Sequence, residues 1–349
     1  MPIQIPAHPS ETLRPSSIIA EGLLNPRGVC VQADGSLLLV EAGSGLPDQT
    51  FSGRISRFQP DPRTPGAYLP RVTLADGFRA MNMQARMLRD EIMGLSDIAF
   101  GNGRCLVSQT DYVEGSKLLD LQYTPPEPVF HSRGNLNALC YHPGRGSWLA
   151  VKPDTNQLVE FIDGQDERVL VQLPELAQGQ EAVPVTLVYE PATDAVLISL
   201  FSGELRGDPS RKGIDFADKA GQVIRVDPAS RQIEVLISGL QLPTGLALCP
   251  TDNLLVLELC NRLQQPLLPD WDGEPRHGGF TRFSGRLLSC NLQTGQVSVL
   301  ARDLDTPSNL CVVQNAVLVS EGMGLTARLL PTRHNGIVPL SGRLRRVQL

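Results

Sequence analysis

The chain has 349 residues, 41% of them hydrophobic and 19% charged, and a formal net charge of −6. It carries no basic tract of the kind that grips nucleic acid and no 18-residue apolar run that would span a membrane. That length suits one large domain or two ordinary ones.

In chain order, Met1–Ser10 is Pro-rich and polar, unlike a signal peptide, and residues 1–15 read as an N-terminal extension. Ser17–Glu21 has the form of an outer β-strand with no neighbour of its own. An apolar hairpin follows, running from Gly28 to Glu41, and it recurs at Asp97–Gln109, Ala138–Lys152, Thr186–Leu200, Gly245–Glu258 and Asn309–Glu321. These spans step 13, 12, 14, 14, 13 and 12 residues. After each comes a third, alternating strand, opening at Gly53, Gly115, Asn156, Gly221, Gly285 and Gly342. Strands that are apolar throughout are sandwiched between neighbouring sheets, whereas an alternating strand is half exposed. Six such repeats predict an all-β, six-bladed β-propeller, a single domain over residues 1–349. Ser17–Glu21 is expected to pair beside Arg343–Leu349, which closes the ring and leaves no open edge.

The repeats are elaborated unevenly. The gap from second to third strand is 12, 6, 4, 21, 27 and 21 residues, so the last three blades carry large insertions. Between the first two blades, Asp76–Gly94 reads as an amphipathic helix holding Met81, Met83, Met87 and Met93. In an up-and-down blade these insertions and the helix share one face, here called the top face. Long loops gathered on one face of a rigid frame suggest a covered binding site.

The residue types there suggest proton-transfer chemistry. Glu41, Glu258 and Glu321 end second strands at the channel mouth, and like charges held close raise one another's pKa. Arg27 opens the first innermost strand and suits an anion or one of these carboxylates. His277 and His334 stand in inserted loops of adjacent blades. These six are the candidate catalytic residues. Met81, Met83, Met87, Phe201 and Trp271 supply apolar contacts for a substrate, with Asn137 and Asn309 as polar ones; Met is suited to pliable apolar lids. No Cys/His spacing points to zinc, and no cofactor is expected. Seven cysteines, placed mostly inside strands with no CxxC pair, point to a reducing, cytoplasmic setting.

The stretches Gly22–Ala42 and Gly239–Glu258 carry a Pro-x-Gly-hydrophobic hairpin followed by a Leu-rich strand ending in Glu; Leu304–Glu321 matches with Asn309 at the glycine place, and Val183–Ser202 more faintly. This repeat resembles the ScyD/ScyE family and, at greater distance, NHL, SMP-30/gluconolactonase and sorbosone dehydrogenase propellers. The resemblance implies the ring and secondary metabolism. Lactonases of this kind hold Ca²⁺ at the channel centre, and Asp97, Asn137 and Asn309 are the oxygen donors in comparable places. The Glu-Gly-Pro that opens their first blade is absent, with Arg27 in its place, and no His-Arg-Asn motif of the quinone-dependent dehydrogenases is present.

Three functions stay open. One is an enzyme of hydrolase, lyase or cyclase type, acting on an apolar or aromatic metabolite under a Met-rich lid. The second is a Ca²⁺-dependent lactonase or esterase-like hydrolase, and the third a non-catalytic binding propeller. The partner expected is a small molecule, not nucleic acid or a membrane.

Overall fold

A computed structural model describes residues 1–82, 92–177, 179–203, 218–250, 253–261, 281–326, 329–331 and 337–349. Six antiparallel sheets stand around a central channel. Blade 1 is built, from channel to rim, of Pro26–Val31, Leu37–Glu41, Gly53–Phe58 and Val72–Phe78. Blades 2 to 5 repeat this order, their innermost strands being Leu95–Gly101, Leu139–His142, Pro184–Glu190 and Pro243–Leu248. Blade 6 combines Asn309–Val313, Ala316–Glu321 and Gly342–Gln348 with Ser16–Leu23 from the other end of the chain. Ser17 lies opposite Arg346 and Glu21 opposite Arg343, so the predicted closure is present.

The core lies between blades rather than within them. Leu149, Val151 and Leu158 of blade 3 pack on Val196, Ile198 and Ile224 of blade 4. Leu255, Leu257 and Leu287 of blade 5 meet Val317 and Val319 of blade 6. The second strands are buried from both sides, which is why they read as nearly unbroken apolar runs, while the third strands keep partly exposed positions and alternate.

One expectation is corrected. The amphipathic helix over Asp76–Gly94 is extended wherever it is described. Val72–Phe78 is the fourth strand of blade 1, and Met81–Asn82 pairs with Ile92–Met93. The ladder to Gly53–Phe58 outweighs the helical spacing of the apolar residues; residues 83–91 lie outside the described part. Among the described residues the helical structure is one 3₁₀ turn, Pro47–Gln49, and no helix is long and apolar enough to cross a membrane.

The N-terminal extension contains two short strands. Ile3–Gln4 runs parallel to the outermost strand of blade 4, and Ser10–Glu11 parallel to that of blade 5. Thr12 N and Arg14 N donate to Val299 and Leu300 carbonyls at 3.0 and 2.8 Å. The first 23 residues therefore strap the outer wall of three consecutive blades.

A chain lacking residues 1–14 should fold, losing about 0.5–1.5 kcal/mol for each strap hydrogen bond removed. A chain lacking residues 1–23 reopens a sheet edge in blade 6 and should unfold or aggregate. Thermal denaturation and size-exclusion chromatography of the two truncations check this; equal stability would refute the closure.

Candidate functional site

The three second-strand glutamates are fully buried and tied to the scaffold. Glu41 accepts from Leu24 N at 2.7 Å, from Arg54 Nε at 2.8 Å and Nη2 at 2.9 Å, from Ser56 Oγ at 3.0 Å and from Arg71 Nη1 at 2.9 Å. Glu258 accepts from Gln241 N at 2.8 Å and from Arg286. Glu321 accepts from Asp305 N at 2.8 Å, from Arg343 Nη2 at 2.7 Å and from Arg345. Each thus clamps the strand entering its blade while neutralising an arginine directly opposite on the third strand: Arg54, Arg286 or Arg343. The signal for this was in the sequence. The third strand opens Gly-Arg in these three blades and Gly-Ser, Asn-Gln or Gly-Gln in the blades that carry Gln109, Lys152 or Leu200 instead.

The glutamates therefore do not converge with Arg27. The channel mouth is lined instead by Arg27, Ser96, Asp97, Asn137, Ala138, Val185, Thr186, Ser308 and Asn309. They come from the starts of innermost strands, where bulges at Pro26/Val29, Leu95/Asp97 and Pro184/Leu187 shift the register. The free space there is about 20 Å³, and one water needs about 10–15 Å³. This part of the mouth admits a water or one small polar group, so any larger ligand must lie above it.

Asp97 is the chemically distinctive residue here. Its Oδ1 accepts from Asn309 Nδ2 at 3.0 Å and its Oδ2 from Leu139 N at 3.2 Å. The first bond reaches from blade 6 to blade 2 past Gly28 of blade 1. A Cβ on Gly28 would sit 2.4 Å from Asp97 Oδ1, so only glycine permits this approach. Among the described residues, every other buried carboxylate pairs with an arginine: Glu41, Asp111, Asp120, Glu160, Glu190, Glu258, Asp305 and Glu321. Asp97 has no such ion pair. Burial pushes its carboxyl up to about 7, against hydrogen bonds from Ile98 N, Leu139 N and Asn309 that favour the ionised form.

The other candidates are distributed around the mouth. Arg27 lines it and donates to Met323 Sδ at 2.7 Å and Ile92 O at 3.1 Å. Asn137 and Asn309 line it too; Asn137 Nδ2 donates to Val185 O at 2.9 Å. Phe201 is buried on the top side of blade 4, in an apolar cluster that includes Val185. Met81 is half buried and pairs with Met93. Met83, Met87, Trp271, His277 and His334 lie outside the described residues.

The donor set fits calcium poorly as arranged. Asn309 turns Nδ2 toward Asp97 and gives Oδ1 to Leu310 N at 2.7 Å, and a guanidinium shares the cavity. Hard-cation sites gather oxygens instead. Among the described residues no group of three or more His, Cys, Asp or Glu is placed to hold a metal.

Removing a charge from a clamp should act on stability. Glu258→Gln leaves Arg286 without its counter-ion and should cost about 1–3 kcal/mol, read as a lowered denaturation midpoint. Unchanged stability with lost activity would return Glu258 to the chemistry.

No protein-family model and no curated protein matches this sequence. Three solved structures are similar in shape. One is a Bacteroides thetaiotaomicron protein of unknown function, with TM-score 0.58, 11% identity and coverage of 95% of this chain and 75% of that one. Another is a chain of a nidogen–laminin complex, at 0.53 and 14%, covering 82% and 86%. The third is a B. thetaiotaomicron auxiliary nutrient-binding protein, at 0.53 and 9%, covering 93% and 69%. At such identity the likeness establishes the architecture alone: the chain is a six-bladed β-propeller.

Proposed function

We propose that the channel mouth on the top face binds a small molecule and that Asp97 transfers a proton to or from it. One observation carries this reading: Asp97 is a buried carboxyl in the channel cavity without the arginine that every comparable carboxylate of the described structure has. Leaving a charge uncompensated is costly, so such groups concentrate at working sites. A carboxyl that titrates near neutrality exchanges protons at low cost on both sides of that pH. Arg27 beside it supplies a cation that would hold developing negative charge on a ligand oxygen.

The reaction is acid–base chemistry of hydrolase, lyase or cyclase type on an apolar or aromatic metabolite. Its polar end enters the mouth and its body lies above it. Glu41, Glu258 and Glu321 leave the catalytic set, and Asp97 takes their place. The blade signature supports a place near the ScyD/ScyE proteins of secondary metabolism, and seven cysteines placed mostly inside strands, with no CxxC pair, support a reducing, cytoplasmic setting. Calcium is the second reading, favoured by the same uncompensated carboxylate, which a cation would neutralise.

Asp97 has a testable signature of its own. Its folded pKa lies above the unfolded value, so the folded state holds the extra proton between about pH 4 and pH 7. This contribution is whole below the unfolded pKa and is lost as pH rises to 7. Wild-type stability should therefore fall across that window. Asp97→Asn should lack this slope, gaining on the wild type at pH 8 relative to pH 5. Turnover, once a substrate is in hand, should drop about 10²–10⁴-fold. Full turnover in Asp97→Asn would leave only a binding propeller. Stabilisation by millimolar Ca²⁺ in the wild type but not in Asp97→Asn would move the site to the lactonase reading.

A further inference from the structure

Beside the channel mouth, on the top side of blades 4 to 6, the structure keeps two hydroxyls that the scaffold does not use. Phe201, Leu242, Leu259 and Cys260 form a buried apolar cluster, with Val185 and Met323 packed against it. Val185 also lines the channel cavity, so cluster and mouth are continuous. Ser202 follows Phe201 on one side. Thr306 flanks the other, its carbonyl accepting from Met323 N at 3.2 Å. Both residues are 0% exposed, and neither Ser202 Oγ nor Thr306 Oγ1 has a hydrogen-bond partner. A buried hydroxyl without a partner calls for an explanation.

Their backbones add a second observation. Ser202 has φ 80° and Thr306 φ 44°, in the left-handed region that disfavours side chains and β-branched ones most. The repeats show what the scaffold accepts at these two places. Two residues past the end of the second strand, where blade 4 has Ser202, blade 1 has Gly43 at φ 114°. Before the proline that opens the innermost strand, where blade 6 has Thr306, blade 1 has Asn25 at φ 51°. Asn25 is fully employed, donating to Gly43 O at 2.9 Å and accepting from Gly324 N at 2.7 Å. Glycine and asparagine are the residues that tolerate this conformation. At the pre-proline place blades 4 and 5 carry Val183 at φ 46° and Leu242 at φ 51°, so there the conformation belongs to the scaffold, whereas Ser202 keeps a left-handed φ where blade 1 has glycine. The hydroxyls of both residues satisfy nothing in the protein, and at Ser202 strain and unmet polarity coincide.

We propose that Ser202 and Thr306 hydrogen-bond the oxygen functions of an apolar small molecule whose body rests on the Phe201–Leu242–Leu259 cluster. A hydroxyl donates to a carbonyl and accepts from an alcohol, so the ligand class is an apolar ring system bearing carbonyl or hydroxyl oxygen. This subsite rests on the reading of the channel mouth as a small-molecule site, and it adds what holds the body of the ligand.

Coumarin and naphthalene, fused-ring probes of similar outline that differ in the lactone oxygens, separate the roles. The full chain should bind coumarin more tightly than naphthalene in calorimetric or NMR titration. Ser202→Ala/Thr306→Val should weaken coumarin about tenfold or more and leave naphthalene unchanged. The same double variant should melt no lower than the wild type, since no internal hydrogen bond is lost. Equal affinity for the two probes in the wild type, undiminished coumarin binding in the double variant, or a lowered melting temperature would each overturn the proposal. Asp97→Asn should leave the coumarin-to-naphthalene ratio unaltered, so the subsite and the proton-transfer role of Asp97 stand or fall separately.

Discussion

Everything at the channel depends on one pairing, that of Ser16–Leu23 with Gly342–Gln348. Without it six sheets form an open arc, each end exposing a strand edge. With it the innermost strands are forced together, and whatever stands at their starts is buried whether or not it is apolar. Arg27, Asp97 and Asn309 reach the interior for that reason, not through their own hydropathy. The closure also explains the narrowness of the mouth, because Gly28 lets blade 2 approach until Asp97 and Asn309 bond across the intervening blade.

A second constraint acts within the blades. A carboxylate at the end of a strand buried on both faces is tolerable only with a counter-ion and hydrogen bonds. Blades 1, 5 and 6 meet this with glutamate, a cross-strand arginine and a backbone N–H of the entering strand. The clamp ties each blade to the connection from its neighbour, so it braces the same ring that the terminal pairing closes. Blade 3 keeps a charge in the corresponding place with the sign reversed: Lys152 Nζ donates to Glu167 Oε1 at 2.8 Å.

The fold was legible because its determinants are local and repeated. A hairpin of nearly constant length, a Gly-opened third strand and a displaced terminal strand are all visible in the order of residues. The insertion at Asp76–Gly94 was misread because apolar residues were scored by helical spacing. The need of Gly53–Phe58 for a partner, which decides that segment, is not written in the segment itself. Only part of the channel mouth was legible: Arg27, Asn137 and Asn309 line it, while the glutamates do not. Asp97 is the acid in a series otherwise made of Gly, Ala, Thr and Asn, yet the sequence offered it only as a calcium donor. That the glutamates were spoken for depended on which arginine lies opposite, a matter of register. It was recoverable only by noticing that Glu and Gly-Arg occur in the same three blades.

The distribution of satisfied and unsatisfied groups then separates scaffold from site. Around the wall, buried charges are paired with arginines, often through more than one hydrogen bond. At the channel mouth the Asp97 carboxyl lacks an ion pair, and on the same side of the ring the hydroxyls of Ser202 and Thr306 lack partners. A domain of this size has only a few kcal/mol of net stability to spare, and each of these features draws on it. Other unpartnered polar atoms stand elsewhere in the ring, His142 Nδ1 and Asn253 Oδ1 among them; what sets Asp97 apart is a buried carboxyl in the channel cavity with no ion pair, and the proposed site is placed on that residue.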